Sequence, residues 1–262
     1  MRRVPFTKAS ACGNDFLIID EQHAPKDIAD FTRRICDRHN GVGADGVEWV
    51  SESQEADAEI RLINSDGSEA EISGNGTRCV AAYLAAQTVR DRLTIKTGAG
   101  MKVCALISHD GNTFEFETAM GEPRLSGMLT LDFGSGKIAG TQVSMGNPHF
   151  VVFVEQIPAN WREQAAEIQR QRAFRDGVNV EFVRAVGEDA IDVRFFERGA
   201  GETQSSGTGS CAAAVAAISA GKVSSPVSVH APGGTQIVRW EKGEVFLRGP
   251  AQIICRGEYF AG

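Results

Sequence analysis

Two stretches of the chain share one pattern: residues 73–89 read SGNGTRCVAAYLAAQTV, and residues 206–220 read SGTGSCAAAVAAISA. Each begins with Ser-Gly-x-Gly and continues into an alanine-rich apolar run, which predicts a glycine turn that opens a buried helix. We expect the first of these helices over Asn75 to Val89. Unpaired backbone N–H groups and the helix dipole make such an N-terminus favourable for an anion. The alternative for each turn alone is a serine that only caps its own helix.

The two stretches belong to a longer internal repeat. Its two copies are separated by a constant number of residues, so that position 73 aligns with position 206. This shift aligns similar landmarks from residue 13 to residue 76 without any slip of the register. The matched segments are 13–14 with 146–147, 61–64 with 194–197, 69 with 202, and 73–76 with 206–209. Two unrelated glycine-rich turns before helices are the alternative, but they would have no reason to keep one register. A duplication predicts that the paired helix N-termini share one site.

Both halves predict the same order of elements, in which strands predominate. Asp27 is available to cap a helix in the segment DIADFTRRICDRH, whose apolar residues recur at helical spacing. The segment 121–140 carries Gly, Pro and Ser, a composition typical of a connection. The sequence therefore predicts an α+β fold of two pseudo-symmetric halves, residues 1–120 and 121–262, each with a curved, mostly antiparallel sheet around a central helix. The last strand of the second half is able to pack back on the first.

Composition excludes several classes of protein. The 262 residues carry 27 Lys and Arg against 34 Asp and Glu, and the resulting net charge of −7 argues against nucleic-acid partners. No run approaches the roughly 18 apolar residues of a membrane span, and no apolar run follows the N-terminal arginines, so we expect a cytoplasmic protein. The six cysteines form no C-x-x-C pair, which argues against a metal site and against disulfides.

Four blocks carry a resemblance to a known family. They read FTKASACGNDFLIID, RLINSDGSEAEISGNGTRC, VSMGNPHFVVF and ERGAGETQSSGTGSCAAAVA. In order and spacing they resemble the signature blocks of the diaminopimelate epimerases, and the similarity runs over nearly the whole chain. The resemblance implies a homodimeric enzyme that uses no pyridoxal cofactor and interconverts LL- and meso-diaminopimelate, on the route to lysine and peptidoglycan. It also implies a pair of similar α+β halves, with the site in the cleft between them.

One departure from the family lies at its chemical centre. The family has cysteine as the acid/base pair at the positions that are Ser73 and Ser206 here. A thiol has a pKa near 8.5, and an alcohol is a far weaker proton acceptor because its pKa is several units higher. Three explanations fit: engineered replacement, natural divergence to other chemistry or to none, and proton transfer by other groups. A serine can act as a relay when another group deprotonates it.

The resemblance also implies roles for individual residues. Glu197 and His149 would lie beside the acid/base pair and tune its proton affinity, and Glu197 would also contact the substrate. Arg198 would bind the distal carboxylate. The amino and carboxyl groups of the substrate would be bound by four amides, Asn14, Asn64, Asn147 and Asn179. Backbone N–H groups would be presented to the carboxylate at the stereocentre by Gly74, Asn75, Gly207 and Thr208.

Several functions remain compatible with these residues. The first is diaminopimelate epimerisation, impaired by the two serines. The second is racemisation or epimerisation of another amino acid, for which Gly46 is an argument because some family members have a substrate-contacting Gln there. A non-catalytic amino-acid-binding protein is the third. A hydrolase with Ser73 or Ser206 as nucleophile lacks a positioned base in the visible motifs. Cys79 and Cys211 follow the turns within the helices, and we expect them to be packed in the core.

Overall fold

A computed structural model describes residues 2–88, 90–133 and 136–261. The chain forms two compact units, the first made of Met1–Thr118 with Gly249–Gly262 and the second of Ala119–Arg248. Strands predominate in both, and the α+β fold class predicted from the sequence is confirmed. No helix in the described ranges combines the length and the apolar content that a bilayer crossing requires.

The first unit contains two helices, α1 (Ile28–Cys36) and α2 (Gly74–Ala85). Asp27 accepts a hydrogen bond from Asp30 N, which confirms it as the cap of α1. The strands are β1 (Arg2–Ala11), β2 (Asn14–Asp20), β3 (Gly46–Ser51), β4 (Ala58–Asn64), β5 (Glu69–Ala70), β6 (Arg92–Thr97), β7 (Gly100–Asp110) and β8 (Thr113–Gly121). The residues of β8 after Thr118 belong to the second unit.

The second unit also contains two α-helices, α3 (Trp161–Gln169) and α4 (Gly207–Ser219). Its strands are β9 (Arg124–Phe133), β10 (Gly136–Ser144), β11 (Pro148–Phe153), β12 (Asn179–Ala185), β13 (Ala190–Glu197), β14 (Gly201–Thr203), β15 (Val227–Ala231), β16 (Gly234–Glu241) and β17 (Glu244–Ala261). Strand β17 belongs to the second unit as far as Arg248 and to the first unit from Gly249 onward.

Strand pairing repeats between the units in the same order. In the first, β2 runs parallel to β3 and β4 parallel to β6, whereas the pairs β1–β2, β3–β4, β4–β5 and β6–β7 are antiparallel. In the second, β11–β12 and β13–β15 are parallel, and β10–β11, β12–β13, β13–β14 and β15–β16 are antiparallel. The register keeps the offset of the sequence repeat: Phe16 pairs with Gly46, and His149 pairs with Asn179. The observed pairing supports the interpretation of the repeat as a duplication.

Two helices cover the strands of each unit. In the first unit α2 packs against β1, β2 and β6, and α1 packs against β3 and β4. In the second, α4 packs against β10, β11, β12, β13, β15 and β16, and α3 packs against β12 and β13. Helices α2 and α4 are buried nearly all round, as expected for helices without a polar face. Cys79 and Cys211 are fully buried in the cores around these two helices, as predicted.

Two local predictions were wrong. The segment 121–140, predicted as a connection, contains the whole of β9 and the start of β10, although residues 134–135 lie outside the described residues. These strands tolerate glycine because β9 is mostly exposed, and the ladder shifts register opposite Gly127, which has a φ of +88°. Helix α2 ends at Ala85, and the N–H groups of Gln87 and Thr88 both bond to Leu84 O. The predicted end of that helix, Val89, also lies outside the described residues.

Candidate active site

The N-termini of α2 and α4 are built in the same way. Ser73 and Ser206 both have extended backbones, and the Oγ atom of each accepts a hydrogen bond of 3.1 Å from the N–H three residues on, that of Gly76 or Gly209. Both serines are therefore N-caps, as the single-turn interpretation predicts. Each cap satisfies one N–H of the first turn, and the helix dipole gives both N-termini a positive potential.

A buried glutamate lies beneath each of these N-termini. Glu48 is on β3 and Glu181 on β12, at positions that the repeat offset relates, and neither is more than 1% exposed. A Cβ placed on Gly76 would overlap Glu48 Oε1, and one placed on Gly209 would be 3.0 Å from Glu181 Oε1. Glycine is therefore favoured at the third position of the first turn, because the Glu48 carboxyl group already occupies that space at Gly76, and the Phe195 ring and the Glu181 carboxyl group crowd it at Gly209.

The two glutamates differ in their hydrogen bonds. Glu181 Oε1 lies 2.7 Å from His149 Nδ1, whereas neither carboxyl oxygen of Glu48 has a hydrogen-bond partner in the described part of the chain. Desolvation raises the pKa of Glu48 to about 8. Desolvation also raises the pKa of Glu181, although its hydrogen bond and charge interaction with His149 lower it in part. Both carboxyl groups are thus held in environments that favour the neutral form.

In the first unit, a series of side-chain hydrogen bonds connects the α2 N-terminus with two asparagines. Arg78 Nη2 donates to Asn75 Oδ1, and Asn75 Nδ2 lies 3.5 Å from Asn14 Oδ1. Asn14 Nδ2 in turn donates to Asp45 Oδ2 at 2.6 Å. The structure therefore brings together Asn14, Asn75 and the Ser73 cap. These hydrogen bonds fix the orientations of the Asn14 and Asn75 side chains, so both amides are preorganised for a ligand.

Asn64 lies at the end of β4 and is occupied by its own turn. Its Nδ2 atom donates to Ser68 Oγ at 3.1 Å, and its backbone N–H donates to Ser68 O at 2.8 Å. It pairs across the sheet with Gly46, which lies on the same face of β3 as Glu48. The hydrogen bonds of Asn64 are those of an ordinary turn residue.

The second unit holds its predicted residues in one hydrogen-bonded group. His149 Nε2 lies 3.0 Å from Asn147 Oδ1, and Asn147 Nδ2 donates to Thr208 Oγ1 at 3.3 Å. Thr208 is in the first turn of α4, directly after Gly207. The chain of contacts thus connects Glu181, His149, Asn147 and Thr208 at the α4 N-terminus.

Glu197 is hydrogen-bonded to the second cap serine. This residue ends β13 and is only partly exposed, and desolvation raises the pKa of its carboxyl group. The hydrogen bond from Ser206 acts in the opposite direction and lowers that pKa. A serine hydroxyl that donates to a carboxyl group of raised pKa is a serine–carboxylate pair able to relay a proton.

Asn179 and Arg198 lie next to each other at the ends of β12 and β13. Asn179 Oδ1 accepts from Arg198 N at 2.9 Å, and Asn179 Nδ2 donates to Pro148 O at 3.2 Å. The guanidinium of Arg198 donates to Asp176 O at 2.7 Å, and the residue is otherwise exposed. Its remaining donors are therefore accessible to an anion from solvent.

Sequence reasoning missed three groups that shape the site: Glu48, Glu181 and Arg78. The two glutamates had a signal, since the offset of the repeat relates one directly to the other. Arg78 is only 1% exposed, and its guanidinium reaches Gly74 O at 3.2 Å and Pro250 O at 3.4 Å. A single arginine inside an alanine-rich helix was the corresponding signal, because a buried arginine needs several acceptors.

Comparison of the sequence with known proteins identifies relatives that share one description. A sequence profile described as Diaminopimelate epimerase matches residues 6–126 and 141–254. A protein of Pelotomaculum thermopropionicum named diaminopimelate epimerase is 39% identical over 274 residues, which cover 97% of this chain and 98% of that protein. Another of the same name, from Bacteroides thetaiotaomicron, is 37% identical over 265 residues, 98% of either chain.

Solved structures share the fold at low identity. A hydroxyproline epimerase from Agrobacterium vitis matches with a TM-score of 0.71 and 16% identity over 99% of this chain and 91% of that one. A Bacillus anthracis phenazine biosynthesis protein of the PhzF family matches with a TM-score of 0.74 and 17% identity over the whole of both chains. At these identities the similarity concerns the fold alone. The profile and the curated relatives cover nearly the full length, and the chain therefore belongs to the diaminopimelate epimerase family of isomerases.

Proposed function

We propose that this protein interconverts LL- and meso-diaminopimelate without a cofactor, by removing the α-proton from one face of the stereocentre and returning a proton to the other. The observation that carries the proposal is the matched pair of serine-capped helix N-termini, each above a buried carboxyl group. An inversion by proton transfer needs two such groups, because one must accept a proton and the other must donate one. The names of the curated relatives support the choice of substrate.

Helix N-termini supply the electrostatic part of the reaction. Loss of the α-proton leaves negative charge on the carbon and its carboxylate, and without a cofactor this charge must be stabilised by fixed donors. The first-turn N–H groups of Gly74 and Asn75 in α2, and of Gly207 and Thr208 in α4, are the proposed donors. They need no reorganisation during the reaction because the helices hold them in place.

Proton transfer in the second half would use Ser206 together with Glu197. The hydroxyl hydrogen-bonded to this carboxyl group transfers its proton to Glu197 as it receives the α-proton, or the reverse. The raised pKa of Glu197 brings it closer to neutrality, where a general base is most effective. His149 orients Asn147 and is fixed in turn by Glu181, so its proposed role is to keep this group in register.

The polar ends of the substrate would be bound by the amides and by Arg198. Arg198 has an exposed guanidinium suited to the distal carboxylate, and Asn179 holds its backbone in place. Asn14 and Asn147 lie beside the two helix N-termini, where they would hydrogen-bond the α-amino and α-carboxyl groups. Asn64 would have to exchange its contact with Ser68 for one with the substrate.

We further propose, from the family resemblance, that the enzyme is a homodimer that acts in the cytoplasm. The chain mass is 28.1 kDa. Light scattering on the purified protein should therefore give about twice that mass. A monomer at micromolar concentration would contradict this part of the proposal.

The deciding experiment follows exchange of the α-proton of LL-diaminopimelate in deuterated water by NMR. The chain with Ser73→Cys and Ser206→Cys should exchange the proton at least 100-fold faster than the unaltered chain, because a thiolate is the far more accessible base. Ser219→Cys, an exposed residue at the far end of α4, is the matched control and should change nothing. A folded double variant that exchanges no proton would reject diaminopimelate epimerisation.

Calorimetry with the same ligand separates the remaining alternatives. Binding of diaminopimelate without exchange, in both the unaltered chain and the double cysteine variant, would show an amino-acid-binding protein. A panel of other amino acids, followed by chiral separation, would reveal a racemase of a different substrate. Both results would replace the proposal.

A further inference from the structure

Glu48 is a fully buried carboxyl group whose presence the packing does not explain. It is 0% exposed, and both of its carboxyl oxygens lack a hydrogen-bond partner in the described part of the chain. Its register partners on the neighbouring strands are Ile18 on β2 and Leu62 on β4, which offer no polar group from their side chains. A buried polar group without a partner is costly, and a leucine would fill the same space without that cost.

The carboxyl group lies at the first turn of α2, beside Ser73. A Cβ on Gly76 would overlap Glu48 Oε1 and would lie 3.2 Å from Ser73 Cβ. The carboxyl oxygen and the serine side chain therefore approach the same point of the helix. Ser73 Oγ uses its acceptor capacity on Gly76 N, and its hydroxyl proton remains available for donation.

The equivalent position in the second unit shows what is different here. Glu181 has the same place under α4, but its Oε1 atom is engaged by His149 Nδ1 at 2.7 Å. The residue that corresponds to His149 in the first unit is Phe16, which has no polar atom in its side chain. Glu181 is thus fixed by a histidine, and Ser206 has Glu197 instead. In the first unit, Asn64 stands at the position of Glu197, so Glu48 is the carboxyl group left to serve Ser73.

We propose that Glu48 is the proton-exchanging partner of Ser73, a positioning residue through which the serine hydroxyl becomes an acid/base group. This inference rests on the proposed epimerisation. In the step, the Cα–H bond breaks and its electron pair stays on the α-carbon. The proton goes to Ser73 Oγ, and the hydroxyl proton of Ser73 passes to a carboxylate oxygen of Glu48. In the reverse direction, Glu48 returns a proton to Ser73 Oγ as the serine protonates the carbanion.

The charge state of Glu48 suits this role. With its pKa at about 8, the group is mostly protonated at neutral pH and begins as a proton donor. Helix α2 also brings Cys79 and Arg78 to this region. Desolvation is the main cause that raises the pKa of Cys79; the charge of Arg78 lowers that pKa, and the charge of Glu48 raises it. The side chains of Ile18 and Leu62, from β2 and β4, do not titrate.

The first test needs no substrate. Infrared difference spectroscopy should detect a carboxyl group that titrates near pH 8, and the band should be lost in Glu48→Gln, which assigns it. In Ser73→Ala, the midpoint should rise by about one pH unit, because the ionised carboxylate then has no serine hydroxyl that can turn to donate to it. An unchanged midpoint in Ser73→Ala would overturn the inference. This arm leaves Glu48 in place and so does not depend on the folding of the glutamate variant.

The second test measures α-proton exchange against pH. Glu48→Gln should lower the rate at least 100-fold and remove the limb of the pH profile near pH 8, while Glu48→Asp should recover part of it. Thr32→Val is the matched control, since it removes another buried and unpartnered polar atom of the first unit and should leave the profile unchanged. Exchange at the unaltered rate in folded Glu48→Gln would refute the role of Glu48. If the unaltered protein exchanges no proton, the proposed function fails, and the infrared titration still decides whether the Ser73 hydroxyl donates to ionised Glu48.

Discussion

Oxygen Oε1 of Glu48 occupies the space in which a side chain on Gly76 would begin. The same relationship is looser between Glu181 and Gly209, where the added Cβ would be 3.0 Å from the carboxyl oxygen and 2.9 Å from Phe195 Cδ1. The glycines of the two turns are thus not required by positive φ angles, since both lie within helices. At Gly76 the cause is the carboxyl group that lies against the first helical turn, and at Gly209 the Phe195 ring contributes as much as the carboxyl group.

Gly76→Ala should destabilise the protein despite the higher helix propensity of alanine. The substitution gains up to about 1 kcal/mol from propensity. The overlap with Glu48 Oε1 forces a rearrangement in a packed core, which costs about 1–3 kcal/mol and prevails. Urea unfolding followed by circular dichroism measures the difference in the free energy of unfolding.

The control for this prediction is the same substitution without the carboxyl group. In a Glu48→Ala background, Gly76→Ala should be neutral or stabilising because only the propensity gain remains. A coupling energy near zero between the two positions would show that Glu48 does not occupy this space.

The stability of the protein should fall as the pH rises from about 4.5 to about 8 on account of Glu48. Its pKa in the folded state, about 8, is higher than its ordinary value of 4.5, so the folded protein binds the proton more tightly. Across this window the unfolded chain has lost the proton and the native state keeps it, and the free energy of unfolding decreases by up to about 1.4 kcal/mol per pH unit. Below the window both states are protonated, and above it both are ionised, so the contribution levels off.

Glu48→Gln is expected to remove this slope. We expect the free energies of unfolding of the unaltered chain and of Glu48→Gln, measured at several pH values, to differ by a constant amount at low pH. The difference should then change progressively toward pH 8, as the unaltered chain loses stability. Equal slopes for the two proteins would mean that Glu48 titrates near its ordinary pKa.

The sequence predicted the two serine-capped turns but not the buried acids beneath them. Ser73 and Ser206 were found because capping and glycine turns are local signals that the internal repeat shows twice. Glu48 appears in VEWV as the polar member of an alternating strand, which is typical of a residue facing solvent. The strand lies in a unit whose helices pack against its sheet, and alternation then says nothing about exposure.

The strands β9 and β10 were missed for a related reason. Residues 121–140 contain the glycine and serine typical of connections, and this composition masks the alternation of Leu129, Leu131 and Phe133. Exposed strands tolerate such residues because they have little core to fill, and Met128 is in fact 78% exposed. A local composition signal cannot distinguish an exposed strand of this kind from a loop.

Ser206→Ala should cost more stability than Ser73→Ala. Both changes remove a cap hydrogen bond of 3.1 Å, which is worth about 1 kcal/mol. Ser206 also donates to Glu197, so its loss leaves that carboxyl group with one hydrogen bond fewer and raises the pKa of Glu197 further. Denaturant unfolding of the two variants at pH 7 measures the difference.

Substitution of each serine by glycine separates the stability that comes from capping from the stability that comes from the Ser206–Glu197 contact. Glycine is nearly as good a cap as serine, within a few tenths of a kcal/mol. Ser73→Gly should therefore be almost neutral, whereas Ser206→Gly should keep the loss that comes from Glu197. Equal losses at the two positions would contradict a stabilising contact between Ser206 and Glu197.

His149→Phe gives the second unit the arrangement that the first unit already has, with phenylalanine beside a buried glutamate. Glu181 would lose its hydrogen bond of 2.7 Å with His149, and an unsatisfied buried group costs about 1–3 kcal/mol. Since His149 lowers the pKa of Glu181, that pKa should rise further in the variant. The loss should consequently be smallest below pH 4.5, where Glu181 is protonated in both states, and should grow as the pH rises.

The double variant His149→Phe with Glu181→Leu tests the cause of that loss. Replacing both members of a buried polar pair with apolar groups of similar size is often neutral, whereas removing one member is not. The double variant should therefore recover most of the stability and lose the pH dependence. If it stays as unstable as His149→Phe, the destabilisation comes from the packing of the phenylalanine ring among Asn147 and Thr208, and the Glu181–His149 contact is not what holds the α4 N-terminus in place.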